Sequence, residues 1–122
     1  MFSNLVLSHV EEWVPVFEEF ARALRPRGSL VVTTVHPHYL RSENDVEDYY
    51  TVSKVLNEWQ DVEISTFYRP LSAAISPFVE AGFRLWTVAE PRPQDGYELH
   101  HPQRYRAATD RPELLVVRAQ VA

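Results

Sequence analysis

Cysteine is absent from the 122 residues. That excludes disulfides and thiolate chemistry and leads us to expect a cytoplasmic protein. Glycine is nearly as scarce: Gly28, Gly82 and Gly96 are the only three, too widely spaced for a G-x-G-x-x-G loop that lets backbone approach a phosphate or nucleoside. Lysine occurs once, at Lys54, so almost all of the 12 basic residues are Arg. The net charge of -5 excludes a nucleic-acid backbone as the main partner. No apolar run approaches the roughly 18 residues a membrane span needs, and no charged leader precedes an apolar core, so neither a membrane nor export is expected. No internal repeat is visible.

What is present reads as one folded domain over residues 1–122. A hydrophobic share of 45% with 12% aromatic residues is that of a globular chain rather than a disordered one. A chain of this size buries roughly two thirds of its unfolded surface, enough for a core.

The most ordered signal runs from Trp13 to Pro37. Trp13, Phe17, Phe20 and Leu24 recur at steps of four, three and four, which sets them on one helical face while Glu18, Glu19 and Arg22 point elsewhere. Pro15 is acceptable only in the first turn, which places the helix start near Val14. Arg25-Pro26-Arg27-Gly28 stops the helix, with Gly28 expected in the left-handed conformation. From Leu30 to Val35 every residue is Val, Leu or Thr; an unalternating run of this kind predicts a central strand of a parallel sheet, covered on both faces.

Other segments are coarser. Met1 to Ser3 reads as the end of a strand. Ser8 with Glu11 three positions on has the form of a capping box. Arg41 to Asp48 reads as an acidic loop. Tyr49, Val52, Val55, Leu56 and Trp59 fall at helical spacing and predict an apolar stripe, whereas Val62, Ile64 and Thr66 alternate with Glu63 and Ser65 as in a short strand. Leu71 to Val79 predicts a second helical face that Pro77 must bend or restart and Gly82 ends. Phe83 to Glu90 and Leu114 to Val121 read as strands, joined by a long Pro- and Arg-rich surface connection from Pro91 to Pro112 that contains His100-His101.

These pieces, taken as SNLVLSHVEEW, FARALRPRGSLVVTTVHP, FYRPLS and VEAGFRLWTVAEPRP, resemble in order and spacing the second half of a class I S-adenosylmethionine-dependent methyltransferase of the small-molecule kind. The resemblance covers nearly the whole chain. It implies an α/β fold: a partial Rossmann-like methyltransferase sheet with strands equivalent to the fourth, fifth, seventh and sixth, the last strand of the chain inserted antiparallel, and flanking helices. It also implies S-adenosylmethionine as cofactor and a small molecule as methyl acceptor.

By the same resemblance, the loop containing Ser3, Asn4 and Leu5 touches the methionine portion of the cofactor. His9 lies near the substrate pocket, and His36 occupies the family's HP position at the end of the central strand, where open α/β sheets place ligands. Either histidine is a candidate base for a hydroxyl or amine nucleophile. His9 also suits a packed histidine at a helix start. Tyr39, Tyr68 and Arg69 are the candidate substrate contacts. The family commonly has a histidine where this chain has Tyr68. Arg69 suits either a substrate carboxylate or an ion pair with an acid such as Glu63. His36 and His38 are two apart, but no third ligand follows at regular spacing, so no metal is expected.

The chain departs from the family in lacking the Gly-rich cofactor-binding half. A sheet that stops at the fourth strand leaves an unpaired edge. The expectation is therefore a truncated fold that dimerises, swaps elements or pairs with a complementing N-terminal half along Met1 to Leu7. The alternative function is a non-catalytic remnant or an assembly module that uses this edge.

Overall fold

The computed structural model describes residues 1–92 and 111–122, with only the backbone at Trp59. The predicted connection from Pro91 to Pro112, with His100 and His101, falls largely outside the described residues.

Four strands form the main sheet. β1 (Phe2–Asn4) lies parallel to β2 (Ser29–Val35). The final strand, β6 (Leu114–Val121), inserts antiparallel between β2 and β5 (Phe83–Ala89), giving the order β1-β2-β6-β5. That is the strand order implied by the sequence. Two helices cover one face: α1 (Trp13–Ala23) and α3 (Leu71–Glu80). Trp13 and Phe17 of α1 meet Ala74 and Phe78 of α3 over Leu30, Val32, Leu115, Val117 and Ala119 of the strands. Phe17 is fully buried, with its ring 4.4 Å from that of Phe78. Burying one such ring contributes roughly 1.5–3 kcal/mol, and α1 therefore docks through the stripe its spacing predicts.

α1 ends at Ala23, and the chain reaches β2 through a left-handed Arg27 (φ 65°) rather than a left-handed Gly28. Gly28 is required for a different reason. A Cβ there would lie 2.8 Å from the Arg25 carbonyl oxygen, which its own N–H binds at 2.8 Å. Gly82 does take a positive φ, 95°, and ends α3 as expected. α3 continues through a buried Pro77.

Among the described residues the two faces of β2 are covered unequally. Leu30, Val32 and Thr34 are buried, while Ser29, Val31, Thr33 and Val35 are half-buried in strict alternation. No helix lies over the second set among the described residues. The unalternating run reflects a surface suited to burial, and the described residues bury one side more fully than the other.

Residues 37–59 also differ from expectation. Pro37–Asn44 is a helix, α2, which takes in the first half of the loop expected from Arg41 to Asp48. Ser53–Trp59 is a strand, β3, paired antiparallel with β4 (Val62–Tyr68). Gln60 and Asp61, at φ 50° and 64°, are both left-handed, as a tight two-residue hairpin turn demands. The apparent helical stripe gives way because β-branched Val55 suits strand geometry and β4 supplies a partner. Tyr49, Val52 and Leu56 are consequently exposed.

Candidate functional site at the sheet end

Open α/β sheets bind ligands beyond the carboxyl ends of their parallel strands. In this chain that end is built by the loop after β1, the 3-10 turn Leu7–His9, the start of α2 after β2 and the residue after β5. Ser3 and Asn4 are the last two residues of β1, and Leu5 follows at φ 57° with its N–H donated to the Thr33 carbonyl at 2.8 Å. A left-handed backbone at a leucine is uncommon and strained. The three residues sequence reading assigns to the cofactor thus form the end of β1, with Ser3 half-buried and Asn4 exposed, and the exposed, strained residue that follows it.

Ser8 is buried within the 3-10 turn and makes no side-chain cap; Glu12 is the residue that precedes α1. His9 is exposed. Its Nδ1 lies 3.0 Å from the Ser65 carbonyl of β4, and because a carbonyl only accepts, Nδ1 carries the proton and Nε2 is left with a lone pair.

His36 is arranged in the opposite sense. It is 5% exposed and caps α2, with Nδ1 accepting the His38 N–H at 3.0 Å. A ring accepting at Nδ1 is protonated at Nε2, and Nε2 lies 2.5 Å from Oε2 of Glu90. Both ring nitrogens are engaged. Glu90, half-exposed just beyond β5, is visible in the sequence as the acid of an E-P pair that the resemblance implies at a strand end; its pairing with His36 has no local signal. Tyr39 is half-buried on α2.

Tyr68 and Arg69 end the hairpin, and both are buried. The Tyr68 hydroxyl donates to the Tyr49 carbonyl at 2.9 Å, and desolvation pushes its pKa up, with a smaller contribution from Tyr49. Arg69 does not pair with Glu63. Its guanidinium donates to the carbonyls of Val10 (2.6 Å) and Glu11 (3.2 Å) and lies 4.2 Å from the centre of the Trp13 ring. Trp13 in turn donates Nε1–H to the Leu7 carbonyl at 2.8 Å. Burial lowers the Arg69 pKa to about 10, opposed by Glu11, so it stays charged at neutral pH. Arg69 and Trp13 together hold the segment from Leu7 to Glu11, which carries His9.

Among the described residues no three His, Asp or Glu side chains come together as a metal site, and no helix is long and apolar enough to cross a membrane.

No protein-family model matches the sequence, and no curated protein matches it. Solved structures do match. A protein from Listeria monocytogenes assigned as an S-adenosylmethionine dependent methyltransferase superposes with a TM-score of 0.81 at 18% identity, covering 99% of this chain and 60% of its own. An S-adenosylmethionine dependent methyltransferase from Mesorhizobium loti gives 0.73 at 21%, with coverages of 98% and 59%. The O-methyltransferase of a trans-AT PKS multienzyme from Brevibacillus brevis, solved with S-adenosyl-L-homocysteine, gives 0.56 at 12%, with 99% and 43%. This chain therefore spans about three fifths or less of these proteins, and over that span it has the fold of part of an S-adenosylmethionine-dependent methyltransferase, an α/β sheet with flanking helices.

Proposed function

We propose that this chain is the substrate side of a methyltransferase that uses S-adenosylmethionine and methylates a small molecule. The observation that carries the reading is β6 inserted antiparallel in the order β1-β2-β6-β5, matched over nearly the whole chain by methyltransferase structures. Ser3, Asn4 and Leu5 fit one edge of the cofactor. The described residues contain no glycine loop to enclose it, so the rest of the cofactor site lies outside them, on a separate chain or on a further part of the same protein. When bound, the cofactor supplies an electrophilic methyl group. The chain's own residues position the acceptor and take its proton, and His9 suits this better than His36 because its Nε2 lone pair faces outward from an anchored ring. Tyr39 borders the acceptor, while Tyr68 and Arg69 act from beneath by fixing the hairpin base and the His9 segment.

What completes the site is an N-terminal half, separate or continuous with this chain, rather than a second copy. Two copies joined edge to edge at β1 by a two-fold axis add no cover to the second sheet face, which the described residues bury only in part. Phe2 on that face is 64% exposed, Val31 and Val116 are half-buried, and Arg118, paired with Val31, is exposed. A distinct half that adds a strand at β1 and lays a helix across this face covers both. The same partly buried surface supports the second reading, an assembly module without catalysis. We place the protein in the cytoplasm, without nucleic-acid or membrane partners.

Calorimetric titration with S-adenosylhomocysteine, alongside the oligomeric mass, tests the reading. Saturable binding tighter than about 100 μM, roughly 5.5 kcal/mol, by the chain or its reconstituted complex is the expected result. No binding by a folded complex leaves the assembly module.

A further inference from the structure

The four polar groups of His36 are all engaged. Its N–H donates to the Glu113 carbonyl (2.9 Å), its carbonyl accepts from the Leu40 N–H (3.2 Å), Nδ1 accepts from the His38 N–H and Nε2 meets Glu90. Two of these contacts respond differently to the ring's charge. Nε2–H donates to Glu90 whether the ring is neutral or protonated. Nδ1 accepts the His38 N–H only while it holds a lone pair, that is, only in the neutral ring. Protonation therefore exchanges a helix cap for an ion pair, with Glu90 in place to retain the imidazolium.

From this we propose that His36 is a charge-state switch on α2: the neutral ring caps and orders the helix, and the protonated ring, held by Glu90, releases its first turn. The proposal rests on reading this end of the sheet as the ligand site, since α2 is one of its walls, and it amounts to acid loosening of that wall. The sign follows from the cap: order is complete when the ring is neutral and is lost when it is protonated, so acid favours the loosened helix.

Other titratable and charged groups at this end are Glu113 at the start of β6, His38 and Arg41 on α2, and Arg111. Arg41 is directed to the Val46 and Glu47 carbonyls, and Arg111 to Ser42 and Glu43. Among the described residues none of them bonds the His36 ring by its side chain. Arg69 is occupied with Val10 and Glu11.

The test needs neither cofactor nor acceptor, so its outcome is separate from that of the methyl-transfer reading. Long-range proton–nitrogen correlation spectra of the labelled full chain, from about pH 5 to 8.5, report the ring's tautomer and charge. Amide exchange in α2, corrected for its intrinsic pH dependence, reports the cap. We expect the Nε2–H tautomer at the alkaline end. As the ring protonates, α2 exchange accelerates roughly threefold to thirtyfold, the size of a lost N-cap. Replacing His36 by asparagine (H36N) keeps a capping side chain that does not titrate, so helix and fold remain while the pH response disappears. H38Q keeps the response. The proposal is overturned by an Nδ1–H tautomer, by a ring that holds one charge throughout the range, by a response that survives in H36N, or by one that is lost in H38Q.

Discussion

Arg69→Ala removes a charged side chain that is 5% exposed and connects three parts of the fold. Two charge-assisted hydrogen bonds, to the carbonyls of Val10 and Glu11, are each worth about 1.5–3 kcal/mol. Stacking on Trp13 at 4.2 Å adds about 1–2 kcal/mol at a desolvated site. Against these stands the burial of the guanidinium. Its pKa falls from 12.5 to about 10, and at 1.36 kcal/mol per unit the charged form is penalised by about 3 kcal/mol, to order of magnitude. The balance is a loss of about 3 kcal/mol, which for a domain of this size lowers Tm by about 10 °C. Calorimetry and urea unfolding give the total. Hydrogen exchange locates it: the Leu7 to Trp13 segment is expected to lose protection first, because Arg69 and Trp13 are what hold it. Arg69→Lys keeps the charge but not the fork or the flat stacking surface, and is expected to recover less than half of the loss. A fall in Tm below about 2 °C for Arg69→Ala, or unchanged protection at Leu7 to Trp13, refutes the assignment of Arg69 as the clamp on the His9 segment.

Tyr68→Phe deletes the hydroxyl bonded to the Tyr49 carbonyl and is expected to cost about 1 kcal/mol in urea unfolding. Tyr68 also predicts an alkaline limb. Its folded pKa is raised above 10.0 by desolvation, so its contribution is complete below about pH 10 and is lost as pH rises through the folded value; the phenolate absorbance and stability of wild type and Tyr68→Phe across that range check it. Gly28→Ala places a Cβ 2.8 Å from the Arg25 carbonyl oxygen and is expected to destabilise by roughly 1–3 kcal/mol, as overpacking does, measured as a shift in urea midpoint at constant m-value.

α1, β5 and β6 were legible because their signals are local. A step of three and four at Trp13, Phe17 and Phe20 needs no partner to be recognised, and runs such as Leu114 to Val121 suit only a strand. The segment from Pro37 to Trp59 was not legible. α2 is polar and eight residues long and is started by a histidine cap with Pro37 in its first turn. β3 carries apolar residues at positions compatible with either period, and pairing with β4 decides between them. The candidate site was half legible. Ser3, Asn4, Leu5, His9 and His36 do sit at one end of the sheet. Which ring nitrogen each histidine leaves available, and what Arg69 holds, had no trace in the sequence.

The sequence alone determined the kind and order of most elements, the absence of disulfides and of a Gly-rich loop, and a central strand suited to burial, because each follows from composition or from a period of a few residues. Tertiary structure decided the partners. Glu90 reaches His36 across 54 residues and Arg69 reaches Val10 across 59. Those meetings are fixed by β6 entering between β2 and β5 and by the hairpin folding over the Leu7–His9 turn. The unequal cover of the two faces of β2 among the described residues is likewise a tertiary fact, since apolar residues state that a surface is fit for burial while only the packed chain shows which face is buried more fully.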